Sequence, residues 1–586
     1  MLKKIRKENL KNRGINMCVD KILPRGSKRR EFIKKIYTKH FSKYSEEEKI
    51  YKKWINKNEP NKKELENQKN TKFKIQPKIS IVVPVYNTPK KFFEELVKSL
   101  QKQTYCNWEL CLADGSPEPI EYMKEFPKKD NRIKYKIIGE NKGISGNTNE
   151  ALALATGDFI GLLDHDDLLP AFSLYEVVKA INENPSVEFL YSDEDKLETT
   201  KGPRYGVFFK PDFSPYTLNS ANYICHFSIF KKELMDKLGG FRSEYDGSQD
   251  FDIVARASEL TKNIVHIPKV LYHWRAHKNS TAQNSDSKPY AFEVGKKVIK
   301  DHIKRSLDID VEVTDGLTPG SYEIKYVLKE NPKVSIIIDG RNCFDNDVET
   351  IINTIKKTTT YNNYEFIVIS GRPVNNIEKV IKPSNNVFKD YNEAVIQANG
   401  KYFMIVDENI ISIDKPSFIE DLIGICQDEN VGIVGTKLYN KEDKVEHSGI
   451  ILGMNGMGDF LYKGAPKDIG TYMQRLLIIH NVSCVYTKYA MINKDVFMQI
   501  GGFTSEFIGL AVSIDTCLKV LASGKQVVIN PIVSIKVKGL NQVEKDKKDE
   551  EKILNKWREN YKKGDVYFSP NLSKSNTGLS INIKNI

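Results

Sequence analysis

Four polar residues that follow a short apolar run are the clearest candidates for chemistry in this sequence: Asp164, His165, Asp166 and Asp167. The apolar run, residues 159–163, is typical of a strand buried on both faces. Side chains two residues apart on an extended backbone point the same way, so Asp164 and Asp166 are spaced to bind one divalent cation. An isolated Asp-x-Asp is more often a solvated acidic turn. The surrounding elements must decide between these interpretations.

The elements before this run alternate between strands and helices. Candidate strands cover residues 79–85, 108–113 and 133–138. Helical periodicity occupies residues 92–100, and a glycine-rich loop at 141–147 leads into a second helix, 148–156. This alternation predicts a parallel sheet with helices on its faces. Asn87, Asp114 and Asp164 each follow a strand, at the edge where open α/β sheets bind ligands.

The order of the motifs resembles that of glycosyltransferase family 2. The matching stretches are 83–87, 113–116, 141–143, 164–167, 191–195, 209–215, 239–241, 248–252 and 272–275. Each stretch alone is a weak signal, but the ordered set is specific. The resemblance implies the GT-A fold, which binds nucleotide sugars.

The resemblance also assigns roles to individual residues. Donor binding falls on Pro84, Tyr86, Asp114, Asp164 and Asp166. Asp166 and His273 would hold a divalent metal, Mn²⁺ or Mg²⁺, which stabilises the diphosphate leaving group. A histidine packed beside Trp274 is an equally good interpretation of His273.

Asp250 occupies the position of the family's catalytic base, which accepts the proton of the incoming hydroxyl. The usual neighbour is glutamate, and here it is Gln249, which leaves one negative charge instead of two. Candidate acceptor contacts are Asp193, Glu194, Asp195 and Trp274. For the three acidic residues, a solvated turn is an equally good interpretation.

The same order of elements returns from about residue 333, so we predict that the chain contains the fold twice. The second copy has lost much of its site. Asp407 replaces Asp164, but Asn409 stands for Asp166, Ser513 for Asp250 and Lys536 for His273. Together with Asp515, Asp407 and Asn409 are the remnant of the second site. We expect a structural or acceptor-binding role there; an altered second transferase is the alternative.

The predicted fold class is therefore α/β, with two tandem GT-A domains and a helical N-terminal arm. The predicted divisions are a basic helical region at 1–76, a first domain at 77–315, a linker at 316–332, a degenerate domain at 333–541, and a C-terminal helix and tail at 542–586.

Composition restricts the class of protein. The 586 residues carry a formal net charge of +13, with lysine and arginine crowded into the first 75 residues. Such a segment could make peripheral contact with an anionic membrane surface or bind nucleic acid or an acidic partner, and a solvated helical arm is an equally good interpretation. Eight dispersed cysteines form no C-x-x-C pair, and no apolar run is long enough to cross a bilayer. We expect a cytoplasmic protein, and no motif supports nucleic-acid binding.

The expected function is transfer of a sugar from a UDP- or dTDP-linked donor, by a metal-dependent inverting mechanism. The acceptor would be a hydroxyl of a surface polysaccharide, a lipid-linked glycan or a protein-linked glycan such as that of flagellin. Two alternatives stay open: a bifunctional enzyme that adds two sugars in turn, and a catalytically silent module that binds glycans or nucleotide sugars.

Overall fold

The computed structural model describes residues 46–200, 202–277, 289–343, 347–540, 546–574 and 580–582. The basic stretch before residue 46 lies outside them. Two helices open the described chain: α1 (Glu46–Asn58) and α2 (Lys62–Lys69). Asn61 and Glu64 form a capping box that starts α2. The part of the N-terminal arm that is described is thus helical. None of the described helices is long and apolar enough to cross a membrane.

The first domain is a mixed sheet covered by helices. Its strands are β1 (Ile79–Val85), β2 (Trp108–Asp114), β3 (Ile133–Ile137), β4 (Phe159–Leu162), β5 (Phe189–Leu197), β6 (Arg204–Phe208), β7 (Ser228–Lys231) and β8 (Ile264–Arg275). Its helices are α3 (Lys90–Gln101), α4 (Phe126–Lys129), α5 (Gly143–Leu152), α6 (Ser173–Glu183), α7 (Pro215–Ser220), α8 (Lys232–Leu238) and α9 (Gln249–Leu260).

The strand order is β3-β2-β1-β4-β7-β5-β6, and β8 pairs with β5. Strands β1, β2, β3 and β4 are mutually parallel, whereas β7 runs antiparallel between β4 and β5. The carboxyl ends of β1, β2 and β4 therefore meet at one edge, as the sequence predicted. Because β7 is reversed, it is the residues before β7 that reach the same edge.

A helix and a hairpin lie between the two large sheets. They are α10 (Pro289–Leu307) and the antiparallel strands β9 (Val311–Asp315) and β10 (Tyr322–Tyr326). The segment predicted as a linker, 316–332, thus contains a strand. Tyr326 is buried, with its ring 6.5 Å from that of Tyr216 in the first domain, and it packs on Gly424 of the second. The connection is a packed element rather than a flexible one.

The second domain repeats the architecture. Its strands are β11 (Val334–Asp339), β12 (Tyr364–Ile369), β13 (Lys379–Ile381), β14 (Tyr402–Asp407), β15 (Ile410–Ile413), β16 (Val431–Tyr439), β17 (Val445–His447), β18 (Ile450–Leu452), β19 (Gly458–Phe460), β20 (His480–Asn481), β21 (Met491–Asn493) and β22 (Gln526–Val537). Its helices are α11 (Asp347–Thr358), α12 (Val387–Gln397), α13 (Phe418–Cys426), α14 (Lys494–Gln499) and α15 (Gly509–Ala522). The order β13-β12-β11-β14-β21-β16-β22 matches β3-β2-β1-β4-β7-β5-β8 of the first sheet, because β22 is parallel to β16 as β8 is to β5.

Equivalent buried hydrogen bonds mark the two copies. Ser80 Oγ donates to Glu109 Oε1 at 2.7 Å and accepts from the Gly157 amide at 2.8 Å. In the second copy, Ser335 Oγ donates to Glu365 at 2.6 Å and accepts from the Gly400 amide at 2.9 Å. The predicted duplication of the fold is therefore confirmed at the level of individual side chains.

The C-terminal part ties the two domains together. Helices α16 (Lys547–Lys556) and α17 (Arg558–Lys563) precede the stretch 567–572, in which Phe568 and Leu572 are buried in a cluster with Trp54 and Phe209. The Asn571 amide donates to Asp193 Oδ2 at 3.3 Å and to the Pro268 carbonyl at 3.0 Å, both in the first domain. The stretch 567–572 thus connects the C-terminal part of the chain with the first domain and with the helix α1.

Candidate active site

A cavity of about 640 Å³ opens at the carboxyl edge of the first sheet. Its lining brings together parts of the chain that are far apart in sequence. Val82, Pro84 and Asp164 come from the ends of β1 and β4, and Asp250 comes from the first turn of α9. The structure therefore places two of the predicted site carboxylates, Asp164 and Asp250, in one cavity.

The acidic stretch after β4 does not continue as a strand. β4 ends at Leu162, and residues 165 and 166 form a turn, so the alternation that would aim Asp164 and Asp166 the same way is lost. The Asp164 carboxylate is 45% exposed towards the cavity. Asp166 instead pairs with His277, whose Nε2 lies 2.7 Å from Asp166 Oδ2. The geometric argument for Asp166 was wrong because a turn follows the strand.

Asp167 is fully buried and satisfied. Its carboxylate accepts from the Tyr272 hydroxyl at 2.6 Å and from the Arg275 amide at 2.7 Å. The Tyr272 hydroxyl also accepts from the amide of Asp164 at 3.3 Å. Tyr272 thus holds both ends of the acidic turn.

The histidine beside this cluster is His226, not His273. His226 Nε2 lies 4.0 Å from Asp164 Oδ2, and its ring stacks on Tyr272 with centroids 4.4 Å apart. Among the described residues, the one group of acids, histidines or cysteines close enough to share a cation is Asp164, Asp167 and His226.

The structure does not bring His273 into this group, because of the alternation of β8. Tyr272 bonds to the acidic turn, and the next side chain, His273, is directed to Asp195, with His273 Nδ1 2.5 Å from Asp195 Oδ1. Trp274 returns to the cavity lining, where the prediction placed it as a candidate acceptor contact.

Two carboxyl groups of the acidic turn, Asp164 and Asp167, have raised pKa values. Desolvation in the cavity raises the pKa of Asp164, and the charges of Asp166 and Asp250 raise it further, while His226 opposes them. Burial and the neighbouring carboxylates also raise the pKa of Asp167 well above its usual value. Desolvation is the largest cause of both shifts, and the neighbouring carboxylates add to it. A divalent cation near Asp164 would favour the ionised forms.

The three acidic residues predicted as acceptor contacts are buried in ion pairs instead. Asp193 accepts from the Lys210 amide and His266 Nε2, each at 2.8 Å. Asp195 accepts from Tyr51, Arg204 and His273. Burial would raise the pKa of Asp195, but His273 and Arg204 outweigh it and hold that pKa below its usual value. Their role is structural.

Glu194, the third of these residues, supports the site through its contact with His226. Its carboxylate pairs with Lys210 Nζ at 2.9 Å and accepts from the His226 amide at 3.3 Å. The fully buried Lys210 ammonium also donates to the carbonyls of Ile224 and His226, at 2.6 and 2.5 Å. The Glu194–Lys210 pair therefore holds both backbone polar groups of His226.

Replacing Lys210 by methionine should destabilise the protein by about 3–5 kcal/mol, because Glu194 would keep a buried charge without its partner. Chemical denaturation measures the loss. Lys231→Met is the matched control, because its pair with Glu233 lies at the surface and its loss should have a far smaller effect. Equal stability of the two variants would contradict the assigned role of Lys210.

Asp250 is held by a residue that the sequence did not suggest. The Asn222 amide donates to Asp250 Oδ2 at 3.0 Å, and the Cys225 thiol lies 3.9 Å from the same oxygen. Burial and the Asp250 charge raise the pKa of that thiol well above its usual value, so it stays protonated. Asp250 is thus an oriented carboxylate at the first turn of α9 that faces the cavity.

The predicted nucleotide-binding residues divide into two groups. Pro84 lines the cavity, and Tyr86 is 41% exposed beside it in the chain. Asp114 is buried: it accepts from the amides of Ser116 and Ile120 at 2.9 and 3.1 Å and from the Tyr135 hydroxyl at 2.5 Å. These bonds shape the loop after β2, and contact of Asp114 with a nucleotide stays a prediction.

The second domain fills the equivalent position with a lysine. Strand β21 pairs with β14 as β7 pairs with β4, which makes Lys488 the counterpart of His226 and Asp407 that of Asp164. Lys488 Nζ lies 2.8 Å from Asp407 Oδ2 and 3.8 Å from Asp339 Oδ2. Burial would raise the pKa of Asp407. The charge of Lys488 and the hydrogen bonds that Asp407 accepts from Lys488, Tyr489 and the Asn409 backbone amide instead hold that pKa below its usual value. The carboxylate is already neutralised.

The other second-domain remnants have partners within the protein. The Asn409 backbone amide donates to Asp407 Oδ1 at 3.0 Å, and the buried Asp515 accepts from Trp557 and pairs with Lys556. Lys536 occupies the register position of His273 and pairs with Asp443 at 3.3 Å. The ammonium group beside Asp407 is therefore that of Lys488, not that of Lys536.

His226 and Asn222 were missed because they lie in none of the matching stretches, and Lys210 lies in the stretch 209–215, to which the sequence assigned no site role. The stretch 222–226 is brought to Asp164 only by the antiparallel pairing of β7 with β4. A histidine two residues before an apolar strand was the available signal. Without the register of that strand pair, the histidine could not be assigned to the site.

Comparison with known proteins agrees with this site. Residues 80–239 match the model of glycosyl transferase family 2. The chain is 34% identical over 480 residues to an uncharacterised protein, y4gI, of Sinorhizobium fredii, a match covering 78% of this chain and 52% of that protein. It is 30% identical over 471 residues to the O-antigen biosynthesis protein RfbC of Myxococcus xanthus, covering 77% and 36%.

The chain thus spans about half or less of the length of these two relatives. A solved structure, residues 1–349 of S. aureus TarS in complex with UDP-GlcNAc, is 20% identical, with a TM-score of 0.34, over 39% of this chain and 67% of that one. Residues 80–239, which include Pro84, Asp164 and His226 of the cavity, are thus a segment of the glycosyl transferase family 2 type.

Proposed function

We propose that the first domain transfers a sugar from a nucleotide-sugar donor to a hydroxyl group, with inversion and with a divalent metal. The observation that carries the proposal is the pairing of two unlike carboxylates in one cavity: Asp164, in a cluster short of positive charge, and Asp250, oriented by an amide donor. Such a division of roles suits displacement at a sugar carbon, where one group faces the leaving diphosphate and another faces the nucleophile.

The residues present fit a divalent metal. Asp164 and His226 offer an oxygen and a nitrogen ligand facing the cavity, and Asp167 lies within reach of both. Bound there, Mn²⁺ or Mg²⁺ would offset the negative charge of a diphosphate. Asp166, two residues after Asp164, pairs with His277 instead.

The chain's own residues account for the remaining chemistry. Asp250 accepts the proton of the acceptor hydroxyl as that oxygen forms a bond to the anomeric carbon. The bond from that carbon to the phosphate oxygen breaks, and the nucleoside diphosphate leaves with the electron pair. Asn222 fixes the carboxylate that receives the proton. A single displacement inverts the anomeric centre.

The names of the relatives support only a broad class of substrates. RfbC is named for O-antigen biosynthesis, which supports a surface glycan as acceptor. The donor is proposed as a UDP- or dTDP-linked sugar. We propose that the second domain is not catalytic, because Lys488 already occupies the position where a metal would bind.

A thermal-shift screen of UDP-, dTDP- and GDP-sugars with Mn²⁺ tests the donor. A ligand at a hundred times its dissociation constant adds about 2.7 kcal/mol of stability, which gives a measurable rise in the unfolding temperature. The Asp164→Asn variant should show a much smaller rise with the same ligand. If no nucleotide sugar stabilises the unmutated protein, the proposed function is wrong.

His226 and His273 provide an internal comparison for the metal. His226→Ala should weaken Mn²⁺ binding, measured calorimetrically with UDP present, by at least about tenfold. His273→Ala should leave Mn²⁺ affinity nearly unchanged, because its ring bonds to Asp195 away from the cavity. The reverse pattern would restore His273 as the ligand and overturn the assignment of His226.

A further inference from the structure

The part of the cavity next to Asp250 is walled by aromatic residues from outside the family-matched segment. The wall comprises Trp274 of β8, Tyr290 and Phe292 of α10, and Pro319, Gly320 and Tyr322 of the β9–β10 hairpin. The sequence assigned the hairpin turn to a linker, and four of the six residues are aromatic. We infer that this wall binds a sugar ring of the acceptor, which rests on the proposed function.

The Tyr290 ring packs against the loop that precedes Asp250, the proposed base. A β-carbon at Gly247 would lie 2.5 Å from the Tyr290 ring, and the glycine has φ +103°, so the residue there must be glycine for the ring to sit against the loop. The adjacent Ser248 hydroxyl donates to the Ala291 carbonyl at 2.8 Å. The first turn of α10 and the loop before Asp250 therefore form one unit.

The hairpin is attached to the other side of the base. Ser321 forms an antiparallel bridge with Ala221, the residue before Asn222, whose amide bonds to Asp250. The Tyr322 hydroxyl donates to the Phe292 carbonyl at 3.4 Å, which links the hairpin to α10. A group resting on this wall is thus held next to the carboxylate that must receive its proton.

The chemistry of the wall selects the ligand. Tyr290 is 54% exposed, so its ring is available to a ligand in the cavity that it lines. A pyranose ring presents a face of C–H bonds, which packs on an aromatic ring, and hydroxyl groups at its edge that remain available for reaction. A sugar stacked on Tyr290 would therefore direct a hydroxyl, not its apolar face, to Asp250.

The experiment uses the full chain with UDP and Mn²⁺, and methyl glycosides of glucose, galactose, mannose, N-acetylglucosamine and N-acetylgalactosamine as probes. Saturation-transfer NMR detects binding, and titration gives the dissociation constant. In the unmutated protein at least one glycoside should bind with its C–H protons saturated. Tyr290→Ala should weaken it about three- to tenfold, the range of one aromatic contact, and Tyr290→Phe should bind normally.

Leu317→Ala is the matched control, because Leu317 is 77% exposed in the same hairpin turn and does not line the cavity. It should bind the glycoside as the unmutated protein does, and all variants should keep their affinity for UDP. Unchanged glycoside binding in Tyr290→Ala, equal weakening in Leu317→Ala, or binding of none of the glycosides would overturn the inference. Failure of the unmutated protein to bind UDP would instead overturn the proposed function.

Discussion

Replacing Asp250 by asparagine is expected to lower the rate of sugar transfer by about two to four orders of magnitude, the usual contribution of a general base. Donor and metal affinity should stay nearly unchanged, because Asp250 faces the acceptor side of the cavity. Asparagine keeps the size of the side chain and its contact with Asn222, so the fold should persist. Steady-state rates and UDP titration measure the two effects separately.

Asn222→Ala is the companion variant for this test. It removes the donor to Asp250 but not the base, so its rate should fall less than that of Asp250→Asn. Proton NMR of the product checks the stereochemistry, which should be opposite to that of the donor. A product with retained configuration, or an Asp250→Asn variant with a normal rate, would refute the single-displacement mechanism.

Equivalent substitutions in the two domains should have opposite consequences. Asp164→Asn should eliminate detectable transfer, because the cavity would lose the exposed carboxylate of its acidic cluster. Asp407→Asn should leave the transfer rate within a few-fold of normal, because Asp407 is buried in an ion pair with Lys488 and lies outside the cavity. Its main effect should be on stability.

Product mass distinguishes this from a bifunctional enzyme. The intact protein should add one kind of sugar, and Asp407→Asn should yield the same product. If the intact protein adds two sugars and Asp407→Asn adds one, the second domain is an active transferase. Lys488→Met serves as a control for folding, because it removes the cation and leaves Asp407 unpaired, which should destabilise the second domain by about 3–5 kcal/mol.

The sequence by itself determined the features that depend on local pattern. Apolar runs followed by acidic residues located β4 and the acidic turn, and the order of motifs indicated the family whose model matches residues 80–239 and selected Asp164 and Asp250, which line one cavity. The repeat was also evident in the sequence, including the presence of Ser513 in the second copy at the position of Asp250. These features depend on the residues within one element or on the order of the elements along the chain. The sequence contains both kinds of information.

The tertiary structure decided the partners of those residues. His226 reaches Asp164 because β7 runs antiparallel to β4, and His273 turns to Asp195 because it alternates with Tyr272 on β8. Lys488 replaces His226 by the same register. Strand pairing brings together residues far apart in the chain, and a shift of one residue exchanges the faces of a strand, so these contacts had no signal in the sequence.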